Sequence, residues 1–197
     1  MKELVHNRIG IRADASPQLG MGHVMRCISI AQALSGIGVE SIFICANDYP
    51  AETVLAYGFE INVLDSDYKM MESEIVPMLE VVDQLNLSGI LVDSYYATDY
   101  YLSCMQERVS VVYIDGLYRC KADIAGVINY NAAAHIEEYE KRFEGKKTTL
   151  MVGLAFTPLR NEFRMKSGNK VIRKKVASIL LTTGATDNYG VVVELCR

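Results

Sequence analysis

The residues best suited by type and spacing to do chemistry are Gly20-Met21-Gly22-His23, which close a polar turn running from Arg12-Ala13-Asp14. An apolar strand over 9–13 leads into this turn, and a helix over 24–34 leads out of it. Its apolar residues Val24, Cys27, Ile28, Ala31 and Leu34 recur at the three- and four-residue spacing of a face packed on a sheet. Outside the carboxyl end of a first parallel strand, such a turn borders the crevice where ligands of α/β sheets sit. The glycines allow close backbone approach, and the helix start offers unpaired N–H groups with partial positive charge, a setting for an anionic substrate. A neutral imidazole there could take a proton from water or from a sugar hydroxyl. His6 lies in the tail and His135 in a polar surface stretch, so neither has such a setting.

Further polar residues fall at the ends of later strands. Strands are expected over 39–45, 59–64, 89–93, 109–115, 124–128 and 149–153, separated by helices near 51–57, 71–85, 98–107 and 137–144. Pro77 calls for a kink or a later start in the 71–85 helix. Asp93, Tyr95 and Asp115 would then share one sheet rim with His23, although acids at strand ends also cap helices. Arg12, near the end of the first strand, either pairs with a carboxylate such as Asp14 or touches the ligand. Alternating strands and helices over 1–160 predict a doubly wound parallel α/β sheet. The polar, basic stretch 161–177 reads as a linker. A second strand, glycine turn and helix start over 178–197 repeat the opening plan. One strand and one helix cannot form a core, so this stretch is expected to be the first unit of a second domain.

Composition narrows the classes. The 197 residues carry a formal net charge of −4, and half of them are hydrophobic. No basic stripe suits a nucleic-acid backbone, so no nucleic-acid partner is expected. The five cysteines have no metal-ligand spacing, and Cys27 and Cys45 read as buried thiols of a reducing compartment. The turn lacks both the dinucleotide G-x-G-x-x-G and the P-loop GK[ST], so no cofactor is expected. No leader sequence and no membrane-length apolar run stand out, so a cytoplasmic location without membrane insertion is expected.

The string R-A-D-A-S-P-Q-L-G-M-G-H-V-M-R-C, from Arg12 to Cys27, closely resembles the opening motif of a known family. These are the UDP-2,4-diacetamido-2,4,6-trideoxy-β-L-altropyranose hydrolases of pseudaminic acid biosynthesis, related to predicted glycosyltransferases of spore-coat polysaccharide synthesis. Val92-Asp93-Ser94-Tyr95, Tyr113-Ile114-Asp115 and Ile128-Asn129-Tyr130-Asn131 resemble its later strand ends. The segment from Gly153 to Phe163 resembles its G-x-x-[YF]-x-x-[LI]-R-x-E-F motif. Thr182-Thr183-Gly184-Ala185-Thr186-Asp187 resembles the start of its second domain, with Ala185 in place of a glycine.

The resemblance implies the amino-terminal half of a GT-B-type fold, two Rossmann-like domains around a cleft, similar to MurG. It implies that His23 activates water to attack the anomeric carbon of a UDP-sugar, with UDP departing, inversion and no metal. Gly20, Met21 and Gly22 would lie against the sugar and diphosphate, with Arg12, Asp14, Tyr95 and Asn131 as further contacts. Gly184 and Thr186 would belong to the nucleotide side, mostly absent from this chain, which is therefore expected to be inactive or weak alone. A monomer or weak dimer is expected. Two other readings stand beside the hydrolase: an inverting UDP-sugar glycosyltransferase on the same scaffold, and a non-catalytic nucleotide-sugar-binding domain.

Overall fold

The computed structural model describes residues 7–164, 174–183, 187 and 190–196. Seven strands form one parallel sheet: β1 (Arg8–Ala13), β2 (Glu40–Cys45), β3 (Glu60–Val63), β4 (Gly89–Asp93), β5 (Ser110–Ile114), β6 (Gly126–Asn129) and β7 (Thr149–Val152). Their spatial order is β3-β2-β1-β4-β5-β6-β7, a Rossmann-like doubly wound sheet. The order reverses between β1 and β4, where Ala13 is in register with Asp93. In doubly wound sheets such a reversal opens a crevice at the carboxyl edge.

Side chains alternate across the sheet, so each strand feeds two cores. Ile11, Ala13, Phe43, Cys45, Leu91 and Ile114 pack with Val24, Cys27 and Ile28 of α1 (Gly22–Ser35) and Val54 of α2 (Ala51–Ala56). The opposite face buries Ile44, Val92, Val111 and Val127 with Met78 of α3 (Ile75–Gln84), Leu102 of α4 (Asp99–Gln106) and Tyr139 of α5 (Ile136–Arg142). At about 25 cal/mol per Å² of apolar surface removed from water, these two layers supply the main stabilisation of the sheet.

The expected 71–85 helix divides. Met71–Glu74 is a 3-10 turn, and the α-helix starts at Ile75. Pro77 therefore sits at its third residue, where the missing N–H would have had no intrahelical partner, and no interior hydrogen bond is lost. Thr98 caps α4, its hydroxyl accepting the N–H of Tyr101 at 3.1 Å.

Residues 178–183 pair with no strand among the described residues, and Ile179 and Leu180 are 78% and 88% exposed. A β-branched run becomes a strand only where a neighbouring ladder takes up its backbone groups, and the described residues offer 178–183 none. A 3-10 turn (Leu154–Phe156) and two short helices, α6 (Asn161–Arg164) and α7 (Val191–Leu195), complete the described elements. Gly184 and Thr186, expected as ligand contacts, lie outside the described residues, as does His6.

Candidate active site

His23 is the second residue of α1, on the helix that leaves β1, and Asp93 is the last residue of β4. The strand reversal sets them face to face: His23 Nδ1 lies 2.8 Å from Asp93 Oδ1, with both side chains almost fully buried. Arg26, one helical turn after His23, donates through Nη2 to Asp93 Oδ1 at 2.6 Å and through Nε to Oδ2. The Cys27 thiol approaches Oδ2 at 3.5 Å.

Burial alone would raise the Asp93 carboxyl. The hydrogen bonds from His23 and Arg26 and the guanidinium charge outweigh it and hold the group below the ordinary carboxylate value. Burial pushes the Cys27 thiol well above the ordinary thiol value, which makes it a wall of the site rather than a nucleophile.

An ionised Asp93 accepts from Nδ1–H, which selects the tautomer whose Nε2 lone pair is available. Arg26 Nη2 also stands 2.7 Å from Nδ1. It already donates to the carboxylate, so Asp93 rather than Nδ1 is its acceptor. The ring of Tyr95 meets His23 edge-on, with centroids 4.5 Å apart. The set is a base, an orienting carboxylate and a cation that holds the carboxylate ionised.

Two hollows adjoin this group. A narrow crevice is lined by Asp14, Leu19, His23, Asp93, Ser94, Tyr95 and Tyr96. A cavity of about 400 Å³ is lined by residues including Arg26, Tyr95, Asn129, Tyr130 and Asn131. The structure thus brings together His23, Tyr95 and Asn131 of the expected site residues, with Asp14 at the crevice wall.

Arg12 is corrected. It is 0% exposed, with Nε and Nη2 on the Glu74 carboxylate at 2.7 and 2.9 Å and Nη1 on Asp14 Oδ2 at 2.6 Å. Strand alternation explains this: Arg12 lies on the sheet face opposite Ile11 and Ala13, beneath the α3 and α4 layer, and cannot reach a ligand. Asp14 is held by the same network, its Oδ1 accepting the Ala46 N–H at 2.8 Å. Asp115 is likewise committed, accepting from the N–H groups of Arg119 and Cys120 and from the Tyr139 hydroxyl.

The turn itself behaves in two ways. Gly20 takes the left-handed conformation, φ 70°, and its N–H closes on the Ser16 carbonyl at 2.8 Å. At Gly22 a Cβ would meet nothing within 4 Å, so the folded chain does not itself demand a glycine there. Leu19 lines the crevice, while Met21 packs against the α1 core. Arg26 was not singled out from sequence, although its three-residue spacing from His23 places both on one helix face.

No family model matches the chain, and no curated protein matches it. Solved structures do. MurG from Acinetobacter baumannii is 10% identical with a TM-score of 0.44, over 73% of this chain and 40% of that one. A glycosyltransferase from Rickettsia africae is 16% identical with a TM-score of 0.44, over 70% and 48%. The spinosyn rhamnosyltransferase SpnG is 14% identical with a TM-score of 0.40, over 70% and 38%. The chain spans less than half the length of each of these three structures. Among the described residues no helix is long and apolar enough to cross a membrane.

Proposed function

We propose that this chain is the base-bearing half of an enzyme that displaces a nucleoside diphosphate, UDP by the sequence resemblance, from the anomeric carbon of a sugar. The observation that carries the reading is the 2.8 Å contact between His23 Nδ1 and Asp93 Oδ1 at the sheet's strand reversal. Nε2 of His23 takes the proton of an attacking hydroxyl as its oxygen bonds to the anomeric carbon. The bond from that carbon to the diphosphate oxygen breaks, and the oxygen leaves with the electron pair. Configuration at the carbon inverts. Asp93 keeps the ring in the productive tautomer and stabilises the imidazolium. The nucleotide would be held by a second domain, of which 178–197 is the expected start.

The nucleophile we favour is a hydroxyl of an acceptor. The cavity of about 400 Å³ beside the dyad, with Tyr95, Asn129 and Asn131 in its lining, has room for an acceptor that hydrolysis does not need. Water is the second reading, favoured by the close resemblance of the Arg12–Cys27 string to the UDP-sugar hydrolases.

One experiment separates them. The polypeptide encoded by the whole reading frame is incubated with a panel of UDP-sugars, with and without hydroxylated acceptors, and UDP release is followed. Release that depends on acceptor supports transfer, and stoichiometric release without acceptor supports hydrolysis. His23→Asn is expected to abolish either. No release from any sugar, or undiminished release from His23→Asn, overturns the proposal.

A further inference from the structure

Tyr95 also borders a third hollow, of about 240 Å³, whose lining includes Tyr96, Thr98, Asp99, Tyr113 and Arg119 but neither His23 nor Asp93. Its distinctive member is Arg119. Arg8, Arg12, Arg26, Arg108 and Arg142 each pair with a carboxylate. Arg119 is exposed and has no carboxylate partner among the described residues. An unpaired guanidinium offers a planar fork of donors suited to a carboxylate or a phosphate.

The loop that carries Arg119 is pinned from several sides. Asp115 accepts the N–H of Arg119 at 2.8 Å and that of Cys120 at 3.2 Å. Asp99 Oδ1 accepts the N–H groups of Lys121 and Ala122 at 2.7 and 3.0 Å. Arg142 Nη1 donates to the Tyr118 carbonyl at 2.8 Å, and Lys146 donates to that of Lys121. Of the acids near the hollow, Asp115 is 0% exposed and bonded on both oxygens, while Asp99 lines the hollow with its Oδ1 holding two backbone donors. Lys121, Arg142 and Lys146 add positive charge around the same loop.

The remaining walls suit a sugar ring. Tyr95 and Tyr96 are partly exposed aromatic surfaces. Burial pushes the Cys120 thiol up to about 12, so that wall is neutral and unreactive. A hollow of about 240 Å³ has room for one sugar ring.

We infer that this hollow is a subsite for a saccharide unit bearing one anionic group, the ring lying against Tyr95 and Tyr96 and the anion on Arg119. The inference rests on the saccharide reading of the adjoining site, and it makes the favoured acceptor an acidic sugar. Tyr95 would be the partition between this unit and the reacting one.

The test is an amide-resolved NMR titration of this 197-residue chain with glucuronate, glucose 6-phosphate, glucose and inorganic phosphate. Acidic sugars are expected to shift the amides of residues 95–99 and 116–120 at concentrations about tenfold below those needed for glucose or phosphate, a gain of about 1.4 kcal/mol. A response to glucuronate alone assigns a carboxylate, and one to glucose 6-phosphate alone assigns a phosphate; either sustains the subsite. Arg119→Gln should remove the preference, while His23→Asn should leave it intact. Equal response to glucose, equal response to inorganic phosphate, an unchanged preference in Arg119→Gln, or no response to any of the four overturns it. Failure of UDP release with this binding intact would sink the catalytic reading alone.

Discussion

His23 and Asp93 meet across the place where the sheet reverses its winding, with Nδ1 and Oδ1 2.8 Å apart and a separation of 70 positions in the chain. The contact is buried, and the carboxylate is further held by Arg26. The orientation of the ring therefore depends on a single acid.

Asp93→Asn preserves the shape of that acid and removes its charge. Its amide offers a donor where an acceptor was needed, and the wrong imidazole tautomer follows. UDP release by the encoded polypeptide is expected to fall by about 10³-fold to 10⁴-fold with little change in KM. A loss confined to KM would remove Asp93 from the chemistry.

Acid should dissolve the advantage that Asp93 confers. The folded group sits below its ordinary value, so near pH 4 the folded state binds fewer protons here than the unfolded chain. Its stabilisation is complete above the unfolded value of about 4 and is lost as pH falls through the folded one. In denaturant unfolding at a series of pH values, the stability gap between wild type and Asp93→Asn should be widest near neutrality and shrink below about pH 4. A gap that grows in acid would contradict the assignment.

Arg12 gives a contrasting result. Arg12→Met leaves Glu74 and Asp14 buried without their cation, and is expected to cost about 3–5 kcal/mol in denaturant unfolding. The double variant Arg12→Met with Glu74→Leu should recover part of that loss. A variant as stable as wild type would mean that the pair is open to solvent.

Gly20→Ala tests the turn. The left-handed φ of 70° costs an L side chain about 1–2 kcal/mol, and relief of that strain would pull at the Ser16 carbonyl bond. Gly22→Ala should be nearly silent in stability, because a Cβ there meets open space. If it impairs sugar binding at unchanged stability, Gly22 serves the ligand rather than the fold.

The frame of the molecule was legible in the sequence because its strands are short, β-branched and bounded by turn residues. The segment Glu40–Cys45 reads as a buried strand by composition alone, and Gly89–Asp93 carries its acid at the predicted rim. Arg12 leaves two readings open in the sequence, because a place near a strand end does not by itself give the face. Its alternation with Ile11 and Ala13 turns it away from α1, and the partner that holds it, Glu74, lies 62 residues on. Arg26 was visible within the resembling string, but its partner arrives only with β4. Residues 178–183 have strand composition without a ladder to join. In each case the missing information was a contact distant in sequence.

The strand reversal has a temporal side. β1 and β2 lie close in sequence and can pair early, whereas β1 reaches β4 only after the intervening 46–88 segment has been gathered in. Until that closure, His23 has no carboxylate, and the base of the proposed reaction would have no fixed orientation. Competence would therefore switch on with the last central pairing, and a nascent or half-folded chain would hold the histidine but not the reaction.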